Sequence, residues 1–82
     1  MKIAEWSDVH PDVRALMSTN HKDLTMKFML KDISDHSIKA EREMPFQSLP
    51  LEQDELVVED YICSIFEQLY QGIKESRDER SK

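Results

Sequence analysis

From Leu51 to about Lys74 apolar residues recur at roughly 100° per residue, which predicts one long amphipathic helix. Acids crowd its first turns, where the helix macrodipole favours negative charge, and Pro50 stands where a helix tolerates proline. Gly72 marks a weakening near the far end. The helix carries two apolar seams. Val58, Ile62, Ile65, Leu69 and Ile73 make one stripe; Leu56, Cys63 and Tyr70 make a second at seven-residue spacing, with Phe66 beside it and Glu59, Asp60 and Glu67 along its flanks. Two stripes require two things to pack against, and that requirement governs the rest of the reading.

The first stripe has a partner in the chain. Leu24, Met26, Phe28 and Leu30 alternate with Thr25, Lys27 and Lys31, and Ile38, Ala40, Met44 and Phe46 alternate with Lys39, Glu41 and Glu43. Arg42 interrupts the second apolar face. Ser34-Asp35-His36-Ser37 between the runs is turn chemistry without glycine, so the pair reads as an antiparallel β-hairpin. Pairing like with like sets Phe28 against Met44, Met26 against Phe46 and Lys31 against Glu41, with a loop of three or five residues.

For the second seam two readings stand. Ser7-Asp8-Val9-His10-Pro11 resembles a helix start, and Val9, Val13, Leu16 and Met17 recur at helical spacing up to Asn20. This short N-terminal helix, with Trp6, is one candidate cover. A second subunit or a foreign protein is the other. An isolated hairpin is marginal and leaves open edges, so either a third strand containing Ile3 and Trp6 or a second subunit is expected to extend the sheet.

A chain of 82 residues makes one small domain, here residues 1–75 followed by a frayed charged tail at 76–82. Domains of this size bury only roughly 60% of their unfolded surface and usually need a staple. Cys63 is the only cysteine, so no intrachain disulfide supplies it, and homodimerisation or a larger partner is expected to. Met1–Trp6 lacks the apolar core of a secretory leader, and no apolar run is long enough to span a bilayer. With a lone thiol, these features give the expectation of a cytoplasmic protein. The net charge of −6 is concentrated: residues 47–71 hold six carboxylates and no basic side chain. Such a field repels phosphates and attracts basic surfaces.

Catalytic patterns are weak. One glycine allows no glycine-rich phosphate cradle, and no nucleophile elbow occurs. Nothing near Cys63 lowers its pKa, so it reads as a small buried hydrophobe. Asp8, His10 and Asp12 form an Asp-x-His-x-Asp cluster, but metal motifs place paired ligands on a turn or one helical face; the cluster reads better as capping acids with a solvated histidine. Glu52, Glu55, Glu59 and Asp60 read as a solvated helix face. The hairpin is basic through Lys22, Lys27, Lys31, Lys39 and Arg42, yet its exposed face also holds Glu41 and Glu43, which argues against direct nucleic-acid binding.

The expected fold is α+β: a short N-terminal helix, an antiparallel β-hairpin and a long C-terminal amphipathic helix packed on it. The expected function is a non-enzymatic protein-interaction module, an adaptor, inhibitor or accessory subunit, without cofactor or metal. Leu56, Glu59, Asp60, Cys63, Phe66, Glu67 and Tyr70 are the expected partner-binding residues. A variant is acidic mimicry of nucleic acid toward a basic protein. The alternatives are a self-associating structural component, and a small metal protein or enzyme.

Overall fold

The long C-terminal helix lies across one face of an antiparallel sheet, with a short N-terminal helix tucked against its flank. In the computed structural model the backbone is described from Lys2 to Arg80 and the side chains to Ser76. The elements are α1 (Ile3–Val9), β1 (Val13–Asn20), β2 (Thr25–Asp32), β3 (Ile38–Pro45), a single 3-10 turn (Phe46–Ser48) and α2 (Glu55–Arg80). The sheet order is β1-β2-β3. The α+β arrangement expected from the sequence is therefore present, with one strand more.

That strand corrects the reading of residues 7–20 as helix. The helix begins earlier, at Ile3, where the Glu5 carboxylate reaches back to accept from the Lys2 backbone N–H at 3.5 Å. It ends at Val9, and Ser7 sits in its last turn rather than at its cap, its carbonyl accepting from the His10 N–H. From Val13 the chain pairs with β2 over eight residues, Val13 with Asp32 through Asn20 with Thr25. Val13, Leu16 and Met17 fit a 3.6-residue period by coincidence. The ladder instead splits them, with Val13, Ala15 and Met17 turned to the face that bears Leu30 and Phe28, and Leu16 to the other. Asn20 stops no helix. Its Oδ1 accepts from the N–H groups of Lys22 and Asp23, forming the turn into β2. Ile3 and Trp6 belong to α1, so the expected third strand comes from β1 instead.

The β2–β3 register also differs from expectation, by two residues. Met26 faces Met44, Lys27 faces Glu43 and Phe28 faces Arg42. Like still meets like elsewhere, with Leu30 opposite Ala40, because a shift of two preserves the side-chain alternation. The slip has two causes: an irregularity between Leu30 and Lys31, and a five-residue loop, Ile33–Ser37, held by Asp32 and Asp35 carboxylates that accept from Ser34 and Ser37. Phe46 leaves the sheet altogether in the 3-10 turn. Arg42, set opposite Phe28, reaches the rim and donates to Gln68 of α2 at 2.8 Å.

The first stripe of α2 meets the sheet as expected. Ile62, Ile65, Leu69 and Ile73 are buried with Phe28 and Leu30, and Val58 packs beside them. The helix starts at Glu55 rather than Leu51: Pro50 lies in the preceding turn, and Asp54 Oδ1 accepts from the Leu56 N–H at 3.3 Å in the manner of a cap. It does not falter at Gly72; the backbone stays helical through Arg80. The last two residues of the expected tail at 76–82 lie outside the described residues.

Candidate functional site

The second seam of α2 is mostly filled by the chain's own α1. Trp6 is 2% exposed, its ring centroid 5.6 Å from Phe66 and 6.1 Å from Tyr70. Phe66 in turn meets Phe28 of the sheet edge-on at 5.7 Å, which joins the two seams into one core. Cys63, Phe66 and Tyr70 are thereby buried within a single copy, at 6%, 0% and 8% exposure. Burial pushes the Cys63 thiol above its ordinary pKa, and Asp60, Glu59 and Glu5 push the same way, so the sulfur is held as thiol and not as the nucleophilic thiolate.

A polar network closes this flank. Trp6 Nε1 donates to Glu67 Oε2 at 3.0 Å, and Gln71 Nε2 donates to Glu67 Oε1 at 2.8 Å. The hydrogen bond from Gln71 is the largest of the effects that hold the Glu67 carboxyl below its ordinary value; burial opposes it, and the hydrogen bond from Trp6 and the nearby His10 and Lys74 add to the lowering. His10 stacks on Trp6 at 4.1 Å with Nδ1 2.9 Å from the Trp6 carbonyl and Nε2 3.3 Å from Glu67 Oε2. Both ring nitrogens therefore face acceptors, and both contacts are hydrogen bonds only when the ring carries two protons. Tyr70 donates its hydroxyl to Asp12 at 3.1 Å. His10 and Asp12 of the Asp-x-His-x-Asp motif are thus drawn into separate contacts, and no group of three or more potential metal ligands occurs among the described residues.

Above the network, Trp6, His10, Asp60, Cys63, Ser64 and Glu67 line a shallow cleft of about 350 Å³. Its walls carry an indole, an imidazole, two carboxylates, a thiol and a hydroxyl.

The remaining expected residues lie where α1 does not reach. Seven residues of helix extend only ~10 Å, and they cover the seam from Cys63 to Tyr70. Leu56, at the start of α2, stays 60% exposed, next to Val57 at 48% and Leu51 at 46%. Glu52, Glu55 and Asp60 around them are exposed, and Glu59 is half-buried. Beside them runs a groove of about 530 Å³ whose wall includes Leu49, Pro50, Val57, Asp60 and Tyr61. Val57 and Leu51 were not singled out by the sequence, because neither falls on the seven-residue spacing; their exposure becomes legible only once α2 is known to begin at Glu55. The seven expected partner-binding residues are thus not one surface: Cys63, Phe66 and Tyr70 are core, Glu67 is a strut, and Leu56, Glu59 and Asp60 border an open apolar end.

No helix among the described residues is long and apolar enough to cross a membrane. Comparison with protein-family models, curated proteins and solved structures finds no match to this chain.

Proposed function

We propose that this chain is a non-enzymatic protein-interaction module whose working surface is the open N-terminal end of α2. The observation that carries the reading is the trio Leu51, Leu56 and Val57, all exposed within one short segment of the most acidic part of the chain. Apolar side chains ringed by charge form the usual anatomy of a docking centre: the apolar atoms supply affinity on desolvation and the rim sets orientation. The excess of negative charge over residues 47–71 favours a partner with a basic surface and speeds its approach. Acidic mimicry is the form this takes if that partner also binds nucleic acid. A reducing compartment such as the cytoplasm suits the single buried thiol.

The reading is tested by placing a photo-crosslinking residue at Val57 and, as control, at Lys74. A single protein adduct from Val57 and none from Lys74 supports it. Equal labelling from both positions, or adducts from Lys74 alone, contradicts it.

A further inference from the structure

We infer that the cleft between β3 and the C-terminal half of α2 is a binding site for a small organic carboxylate with an apolar body. The cleft has a volume of about 360 Å³, within the range of small-molecule sites. Its inner wall is apolar: Leu69 and Ile73 of α2 are 8% and 7% exposed, and Ala40 of β3 packs beside them. Its solvent side is cationic. Lys39 and Arg42 stand there, both exposed, with no carboxylate in the wall among the described residues, although the chain as a whole carries a net charge of −6. The cleft thus offers desolvation to an apolar body at its base and a counter-charge to an anion at its rim.

Two features that each cost stability converge on this cleft. The first is the irregularity in the β2–β3 ladder. Leu30 pairs with Ala40 and Lys31 with Ile38, so Lys39 is the residue the ladder skips. Strict alternation would send Lys39 to the outer face with Glu41; the bulge sets it in the cleft wall beside Ala40 and Arg42 instead. The second is Gly72, the only glycine of the chain, placed in a helix interior where glycine is unfavourable. A Cβ there meets nothing within 4 Å, so packing does not demand the glycine. What the missing side chain leaves is space in the cleft. The cations define the anion. Arg42 donates through Nη1 to Gln68 Oε1 at 2.8 Å, which steadies the guanidinium at the rim and leaves further N–H groups in the fork geometry that a carboxylate matches. Lys39 meets Asp35 at 3.4 Å, an exposed pair of little worth, so it adds charge rather than geometry. Gly72 lies ~24 Å along α2 from Leu56, and the site does not depend on the docking surface proposed above.

Titration of the whole chain with octanoate, followed by amide chemical shifts in NMR, tests this directly. Saturable shifts clustered at residues 39–42 and 68–73 are expected, with a Kd of about 0.1–1 mM for a ligand of about ten non-hydrogen atoms. Acetate has the head without the tail and octanol the tail without the head, and each is expected to bind at least ~10-fold more weakly. Arg42→Gln removes the charge at an exposed position, and Gly72→Leu fills the cleft with a good helix former. Each is expected to weaken octanoate by at least ~10-fold while the circular dichroism stays that of the wild type. The absence of saturable shifts up to about 10 mM overturns the inference. So do shifts centred on Leu51, Leu56 and Val57, or octanol or inorganic phosphate binding as tightly as octanoate. A folded Arg42→Gln or Gly72→Leu that binds octanoate as well as the wild type overturns it equally.

Discussion

The indole N–H of Trp6 donates to the carboxylate of Glu67 at 3.0 Å, tying residues 61 positions apart and fixing α1 against α2. The same carboxylate accepts from Gln71 and faces His10, so one side chain holds three contacts that the seam needs in order to close.

This carboxylate gives stability a pH dependence. Its pKa is lowered in the folded chain from an ordinary 4.5, so the folded state gains from its ionisation. That gain is fully present above the ordinary value and is lost as pH falls through the lower folded value. Glu67→Gln keeps an acceptor for Trp6 but removes the charge. Thermal melts are expected to show the variant less stable near neutrality, with the two curves converging as pH falls through the lowered folded value. A gap constant with pH would place the role of Glu67 in packing alone. Glu67 remains 43% exposed on its side chain, so the gap is modest.

Leu24 has φ of 55° and is 60% exposed, which is the left-handed backbone of a turn carried by a residue that prefers to avoid it. Leu24→Gly removes the strained Cβ and exposes no core. Urea unfolding is expected to show a gain of about 1 kcal/mol, whereas a loss would mean that the exposed leucine contributes packing that outweighs the backbone term.

Gly72 lies in the interior of α2, and a Cβ built there meets nothing within 4 Å. Gly72→Ala is expected to stabilise by ~0.5–1 kcal/mol in the same urea measurement, because alanine loses less backbone entropy in a helix.

The Thr25 hydroxyl is shut off from solvent with no hydrogen-bond partner among the described residues. Valine has nearly the same shape and no polar group to desolvate. Thr25→Val is expected to raise the melting temperature, by the equivalent of ~1 kcal/mol or more. An unchanged or lowered value would mean that the hydroxyl finds a partner in solution.

How much of this was legible depended on how long each pattern ran. The α2 stripe from Val58 to Ile73 repeats over about four turns, so its period and its sheet partner follow from the sequence. The seam through Cys63 and Tyr70 was equally visible, but whether it is core or interface turned on α1, whose seven residues are too few for a period. Val9, Val13, Leu16 and Met17 satisfy a helical spacing, yet Val9 ends α1 and the other three lie in β1 with Leu16 on the opposite face, which only the pairing with β2 reveals. The hairpin register needed the irregularity at Leu30 and Lys31, a backbone event with no residue signature here, since no glycine marks it. Leu56 stood out by spacing, yet its exposure depended on where α1 runs out.

The most direct measurement is affinity capture from nuclease-treated lysate, at low and high salt, comparing the wild type with Leu56→Glu/Val57→Glu. Both side chains are exposed, so the variant is expected to keep the wild-type circular dichroism and an unfolding free energy within ~0.5 kcal/mol of the wild type. One protein recovered near one-to-one with the wild type, weakened by salt and absent with the variant, is the expected result. A folded variant that captures the same protein as well as the wild type would contradict the assignment of the docking surface to the open end of α2.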